Sequence, residues 1–292
     1  MKWFAGLESI VKEGEPLAPR TWFGIGGPAE YYAEPADVRQ LTEVVTRCRD
    51  NEVPLRVLGG GANLLVDDAG VKGAVIRLGA EKFGQVSFAD GKLTVGAGAD
   101  MPKLVLQCVR QGWGGLECLT GIPGTIGGAV HMNAGGAFGD IGSVVESIEV
   151  MGADGVAFTR TRDDLVFGYR SSNVTSRFIL SATFRIAEDD SHRILRQVKE
   201  IWIYKKYSQP LGHPNAGCVF KNPRGMSAGA LIDQAGLKGH RVGGAHVAQK
   251  HANFILTEPG TRASDVLKLI NTIRETVYGK FEVYLELELE VW

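Results

Sequence analysis

A single thiol, Cys218, follows two small residues, Ala216-Gly217, and precedes an apolar pair, Val219-Phe220, with a Lys221-Asn222-Pro223 turn directly after. Small residues let a flat ring, a substrate or another backbone approach closely. Val219-Phe220 reads as a short strand and Asn222-Pro223 as its end. A thiol so placed suits a proton donor or a nucleophile. Free cysteine is also among the most buried residue types, so a packing role stays open on position alone.

Two glycine strings offer a second kind of chemistry. Gly59-Gly60-Gly61 comes straight after an apolar run, Val53–Leu58, and Gly121-Ile122-Pro123-Gly124-Thr125-Ile126-Gly127-Gly128-Ala129 lies further on. Successive backbone N–H groups at such a string can face an anion, although a tight turn needing positive φ explains a single string equally well. The G-x-G-x-x-G fingerprint fails, because Gly59-x-Gly61 continues as Ala62-Asn63-Leu64, and no Gly-Lys-Ser/Thr follows either string. Together, two loops suit a long dinucleotide, one holding the pyrophosphate while the other lets the ring lie against backbone.

The other reactive residue types do not assemble into known patterns. His240, His246 and His251 lack carboxylate or thiol partners at ligand spacing, so no metal site is expected. Cys48, Cys108, Cys118 and Cys218 include no C-x-x-C pair, which argues against a zinc ribbon or thioredoxin-type site and for reduced thiols inside the cell. The pairs Asp67-Asp68 and Asp163-Asp164 read as solvated loops.

The elements that must position these residues follow from periodicity and punctuation. Residues 1–20 read as a helix and a loop, and Gly26-Gly27-Pro28 breaks the chain before an apolar strand. Residues 37–50 and Lys103–Gln111 have helical spacing, with Gly112 ending the second. Val53–Leu58, Ala74–Leu78, Leu93–Gly96 and Phe178–Ile186 read as strands, and Val144–Met151 with Gly155–Arg160 as a hairpin. Leu165–Ser172 is a loop carrying Gly168-Tyr169-Arg170-Ser171. Composition shifts at Glu188-Asp189-Asp190, before an amphipathic helix with Ile194, Leu195, Val198, Ile201 and Trp202 on one face. The rest reads as a strand (Cys218–Phe220), a helix (Met226–Ala235), strands (Ala245–Val247, Asn253–Leu256), a helix (Ala263–Val277) and a last strand, Glu282–Val291. The expected division is therefore residues 1–187 and 188–292, the second an α+β unit of ordinary domain size.

Composition excludes several classes. A net charge of −1 gives no field that draws the chain to nucleic acid or an anionic membrane. Met1–Ile10 carries Lys2 and Glu8 and no long apolar core, so no signal peptide is expected, and no run is long enough for a membrane span. The 39 glycines cluster in short strings without a fixed period, which excludes collagen and low-complexity readings.

Taken together, Thr21–Ala29 (TWFGIGGPA), Leu58–Val66 (LGGGANLLV), Gly121–Ala129 (GIPGTIGGA), Gly168–Ser172 (GYRSS), Lys206–Pro223 (KYSQPLGHPNAGCVFKNP), Ser227–Gly244 and Lys250–Phe254 (KHANF) resemble the UDP-N-acetylenolpyruvoylglucosamine reductase (MurB) family. The segments run in family order over nearly the whole chain, and the length is similar to the shorter type that lacks the substrate-capping tyrosine loop. The resemblance implies an α+β chain: a two-part FAD-binding region of the vanillyl-alcohol-oxidase (PCMH) type over residues 1–187, and a C-terminal α+β substrate-binding domain over 188–292. It implies non-covalent FAD, NADPH as hydride source and the enolpyruvyl ether of UDP-N-acetylglucosamine as acceptor, in cytoplasmic peptidoglycan precursor synthesis. The implied cofactor residues are Gly59, Gly60, Gly61, Ala62, Asn63, Leu64 and Leu65, then Ile122, Pro123, Gly124, Thr125, Gly127, Gly128 and Ala129, with Asn133.

Three family positions carry the implied reduction. The arginine maps onto Arg170. The proton donor, a serine in most of the family, maps onto Cys218. The glutamate maps onto Glu288 when Val283-x-Leu285-Glu286 is aligned and onto Glu290 when the final Glu-Val is; strand parity puts Glu286, Glu288 and Glu290 on one face, and spacing from Lys280-Phe281 favours Glu288. A thiol has a reference pKa of about 8.5, so cysteine at a serine donor position is conservative for proton transfer. Lys206 and Asn222 match positions that touch substrate, and Tyr169 lines the implied pocket. Two other readings remain: an FAD-dependent alcohol or sugar oxidase of the same flavin fold, and a sugar-nucleotide-binding protein with a decayed flavin site. No Arg-Ser-Gly-Gly-His motif for covalent flavin is present.

Overall fold

A computed structural model describes residues 2–176 and 178–292. By contact density the chain forms two compact units: Met1–Glu13, Tyr31–Gly60 and Lys72–Lys205 in the first, and Gly14–Glu30, Gly61–Val71 and Lys206–Trp292 in the second. The motif segments Thr21–Ala29 and Ala62–Leu65 thus group with the C-terminal residues.

Helices of the first unit begin and end on local chemistry. Asp37 caps Val38–Asp50, its carboxylate accepting from the Gln40 amide at 2.8 Å, and Leu41, Val44, Val45 and Cys48 form the buried stripe. Asp100 caps Met101–Gln111 through the Lys103 amide at 2.9 Å, and Gly112 ends that helix in the left-handed region at φ 70°. These stripes join one core with a five-stranded antiparallel sheet ordered Ala157–Thr161, Val145–Met151, Phe178–Arg185, Lys92–Gly96, Val86–Ala89. A second sheet is ordered Val11–Pro16, Pro28–Ala33, Val71–Arg77, Leu55–Leu58, the last two parallel. The helix Ser191–Ser208 buries Ile194, Val198, Ile201 and Lys205, while Trp202, expected on that face, is 47% exposed.

The second unit packs the helices Ala228–Gln234 and Ala263–Phe281 with a small sheet of Arg241–Val242, Ala245–Val247 and Ile255–Thr257. Glu290–Val291 runs parallel to Leu64–Leu65.

Several local expectations are corrected. Residues 2–20 contain the strand Val11–Pro16 and one 3₁₀ turn, not a helix. Cys218–Phe220 is not a ladder strand; one bridge, Phe220 to Leu287, is formed. The expected strand Glu282–Val291 shrinks to Glu290–Val291, because Glu282 takes φ 56° at the helix end and, among the described residues, 283–289 form β-pairing only through the Phe220–Leu287 bridge. Asp68 is not simply solvated. Its two carboxylate oxygens accept from the Ala263 and Ser264 amides at 2.7 and 3.1 Å, capping a helix that begins 195 residues later.

Candidate active site

In the first unit the two glycine strings meet backbone to backbone. A Cβ placed on Gly60 would lie 2.7 Å from the Gly124 Cα, and one on Gly59 would lie 2.9 Å from the Thr125 hydroxyl oxygen. No side chain fits between them, so glycine is required by this approach. Thr125 caps the short helix Ile126–His131, which starts at this junction. Among the described residues, the amides of Gly60, Gly124 and Thr125 donate no hydrogen bond within the protein. Unpaired N–H groups grouped in this way suit phosphate oxygens. The cradle suits the pyrophosphate of a dinucleotide such as FAD, which Gly59, Gly60, Gly124 and Thr125 could hold.

Gly127 and Gly128 separate in role. A Cβ on Gly127 would press on the Ala97 Cβ at 2.9 Å, whereas one on the exposed Gly128 would meet only the Thr125 hydroxyl at 3.6 Å. Gly127 therefore serves internal packing and Gly128 leaves an open surface. Ala129 is buried, and Ile122 and Pro123 are half-buried.

Arg170 sits on a two-residue turn between Phe167–Gly168 and Ser171–Ser172, with φ 53°, a region that costs a non-glycine residue energy. Its guanidinium lies 5.2 Å from the centre of the half-exposed Tyr169 ring. Asn133, 3% exposed, holds this turn: its amide donates to the Gly168 carbonyl at 2.8 Å and accepts from the Gly142 amide at 3.0 Å. The Ser172 hydroxyl donates to the His131 carbonyl at 2.7 Å. Asn133, expected at the cofactor, thus spends its side chain on the arginine turn.

In the second unit Cys218 is partly exposed beside Ala248, Phe254 and Leu256. The Val219 amide donates to the Asn253 carbonyl at 2.9 Å, and the Val219 carbonyl accepts from the Glu288 amide at 2.9 Å. Glu288 therefore lies on the backbone paired next to Cys218, and it is partly buried. Glu286 is exposed and pairs with Lys221 at 2.5 Å; Glu290 is exposed and its amide donates to the Asn63 carbonyl at 3.1 Å. Of the three glutamates, Glu288 alone combines partial burial with the cysteine segment.

The remaining expected residues are spread through the second unit. The Asn63 side-chain Nδ2 donates to the Glu288 carbonyl at 2.9 Å, the Leu64 and Leu65 side chains are buried, and a Cβ on Gly61 would collide with the Arg20 carbonyl. Ala62 is half-buried. The Asn222 side-chain oxygen accepts from the Ala228 amide at 3.0 Å, and exposed Lys206 offers its carbonyl to the Lys250 ammonium at 2.5 Å.

Asn253 was not singled out from the sequence. It is 3% exposed, and its side chain bonds both backbone groups of Phe220. Its signal was a lone asparagine among apolar neighbours, Ala252, Phe254 and Ile255. The other cysteines do not compete for chemistry: burial pushes the Cys48 and Cys108 thiols up to about 12 and that of Cys118 to about 11. Among the described residues no group of His, Cys, Asp and Glu is arranged to hold a metal, and no helix is long and apolar enough to cross a membrane. A surface groove of 380 Å³ in the first unit, lined by Asp37, Lys82, Phe83 and Glu149 among others, contains none of the expected site residues.

Comparison with known proteins bears on both units. Residues 29–160 match the family described as FAD binding domain, and residues 209–292 match the UDP-N-acetylenolpyruvoylglucosamine reductase C-terminal domain. The chain is 43% identical to the UDP-N-acetylenolpyruvoylglucosamine reductase of Syntrophobacter fumaroxidans, over 95% of this chain and 82% of that one. It is 38% identical to that of Anoxybacillus flavithermus, over 96% and 94%. The crystal structure of UDP-N-acetylenolpyruvylglucosamine reductase (MurB) from Thermus caldophilus superposes with a TM-score of 0.84 at 42% identity, covering 96% of this chain and 98% of that one.

Proposed function

Because the chain belongs to the UDP-N-acetylenolpyruvoylglucosamine reductase family, FAD-binding oxidoreductases of peptidoglycan precursor synthesis with an α+β fold, we propose that it reduces the enolpyruvyl ether of UDP-N-acetylglucosamine to UDP-N-acetylmuramate at the expense of NADPH. FAD held by Gly59, Gly60, Gly124 and Thr125 would supply hydride-transfer chemistry, with NADPH as the source of reducing equivalents. Addition of hydride to the CH₂ carbon of the enol ether would place negative charge on the neighbouring carbon, from which it spreads into the carboxylate. Arg170 stabilises that charge, since its guanidinium is always protonated and forked. The Cys218 Sγ–H gives its proton to the neighbouring carbon, completing the lactyl ether, and the thiolate recovers a proton from solvent. Glu288 supports the same carboxylate, as a hydrogen-bond donor when protonated or by orienting the arginine. Lys206, Asn222 and Tyr169 contact the substrate.

The observation that carries this reading is the held thiol. Cys218 is partly exposed on a segment whose next residue is bonded on one side by Asn253 and on the other by Glu288. That pairing brings the thiol-bearing and the glutamate-bearing segments side by side, which supports a joint role for Cys218 and Glu288. The same reading makes the protein a cytoplasmic enzyme with FAD bound non-covalently, residues 1–187 serving the flavin and 188–292 the substrate. The alternative, an FAD-dependent alcohol or sugar oxidase of the same flavin fold, leaves Cys218-x-x-Lys221-Asn222 without a role.

Cys218→Ala tests the assignment. FAD binding and NADPH oxidation should be retained while lactyl product formation falls by about 10²- to 10⁴-fold, the scale of a general acid. Cys218→Ser should keep substantial activity with an altered pH profile. Single-turnover product formation at the wild-type rate in Cys218→Ala sinks the proton-donor role; a serine variant as inactive as the alanine one, with an adduct by mass spectrometry, points to a covalent nucleophile instead.

A further inference from the structure

We infer that Asn253 is a positioning residue for the proton donor; the inference rests on the assignment of that role to Cys218. The side-chain amide of Asn253 accepts from the Phe220 N–H at 2.9 Å and donates to the Phe220 C=O at 2.8 Å, and its own carbonyl accepts from the Val219 N–H at 2.9 Å. A carboxamide carries the same donor and acceptor pair as a peptide, so one side chain takes the place of a neighbouring strand. Three hydrogen bonds thereby fix the three successive peptide units directly after the Cys218 Cα.

This substitution matters because the segment has no regular ladder. Its one bridge is Phe220 to Leu287, and on that side Glu288 donates to the Val219 carbonyl and Lys221 to the Glu286 carbonyl, each at 2.9 Å. Before the thiol the chain bends through Gly217 at φ 75°, with the Gly217 amide bonded to the Asn215 side chain at 2.9 Å. Phe220 is 1% exposed, so its backbone groups have no water to turn to if Asn253 is removed. The partner is itself held: the Asn253 backbone N–H donates to His251 Nδ1 at 3.2 Å. Sub-ångström placement decides proton-transfer rates, and a shift of about 1 Å costs up to about 10²-fold. Through these bonds Asn253 acts on the backbone that carries the thiol.

The test uses the FAD-loaded full chain, reduced with NADPH and mixed with UDP-N-acetylglucosamine enolpyruvate in H₂O and in D₂O. Wild type, Cys218→Ala, Asn253→Ala, Asn253→Asp and the Cys218→Ala/Asn253→Ala double variant are compared. Asn253→Ala should leave flavin reduction by NADPH unchanged, slow product formation by about 10- to 100-fold and raise its solvent isotope effect. Asn253→Asp, nearly isosteric, keeps an acceptor for the Phe220 N–H but, when ionised, sets a carboxylate oxygen against the Phe220 C=O; it should slow product formation at least as much as alanine, and it carries the test alone if the alanine variant does not fold. In the Cys218→Ala background the second substitution should add nothing, because there is no thiol left to position. Equal slowing of both half-reactions, or a full additional loss in the double variant, makes Asn253 a merely structural residue and overturns the inference. Wild-type product formation in both Asn253 variants with a slow Cys218→Ala overturns the inference and leaves the proton-donor assignment standing. Wild-type product formation in Cys218→Ala removes the assignment and the inference with it.

Discussion

Gly60→Ala is the sharpest probe of the flavin cradle. Gly60 has an ordinary negative φ, so alanine strains no dihedral; the cost lies in the methyl group, whose carbon would sit 2.7 Å from the Gly124 Cα and 3.1 Å from its carbonyl carbon. Carbon atoms in contact rest at about 3.5–4.0 Å, so the two backbones must part by about 1 Å. Overpacking of that size costs about 1–3 kcal/mol. Charged to cofactor binding, it weakens FAD affinity about 5- to 150-fold at 1.4 kcal/mol per tenfold. The paired control is Gly128→Ala, whose methyl meets only the Thr125 hydroxyl at 3.6 Å. That variant should be at least as stable as wild type without FAD, since alanine is the better helix residue, yet should bind FAD more weakly if the cofactor covers this face. Fluorescence titration of deflavinated protein, with thermal unfolding of the same samples, separates the two effects. FAD binding as tight as wild type in both variants refutes the cradle. Gly127→Val is a poor substitute, because its side chain would run into Ala97 and colour would be lost through misfolding.

Arg170→Lys keeps the charge and loses the fork; flavin reduction by NADPH should survive while substrate reduction falls about 10²-fold or more, and stopped-flow losses equal in both halves would assign Arg170 to folding or binding instead. Acid precipitation should release all yellow colour into the supernatant, and flavin retained on the pellet would contradict non-covalent binding. For Asp68, burial pushes the carboxyl up, but the hydrogen bonds from the Ala263 and Ser264 amides, the Ser264 hydroxyl and the Arg262 charge outweigh it and hold the pKa below the usual carboxylate range. A carboxylate with a depressed folded pKa contributes stability above its unfolded pKa that is lost as pH falls through the folded one. Asp68→Ala should therefore lower stability at neutral pH by about 1 kcal/mol, the scale of a lost helix cap, and flatten the acid limb of the stability profile; thermal unfolding across the acid range measures both.

Much of the molecule was legible in the chain because its signals are local. Asp37, Asp100 and Gly112 start and stop their helices through groups within four residues, so spacing and cap chemistry sufficed. The glycine strings and the cysteine segment announced themselves by composition, and their order along the chain carried the family resemblance. What the sequence could not decide were contacts that close over long separations. The peptides after Cys218 are held by an asparagine 33 residues away, and this replaces the short strand that Val219-Phe220 alone would suggest. Asp68, in a loop that looked merely solvated, caps a helix that begins 195 residues on. Glu286, Glu288 and Glu290 share strand parity and cannot be ranked by it; burial and the bond to the Val219 carbonyl distinguish Glu288. Gly127 and Gly128 are neighbours of identical type, yet one presses on Ala97 and the other faces open space. In each case local propensity is satisfied by several arrangements, and the choice among them belongs to side chains and backbones that meet only when the tertiary fold closes.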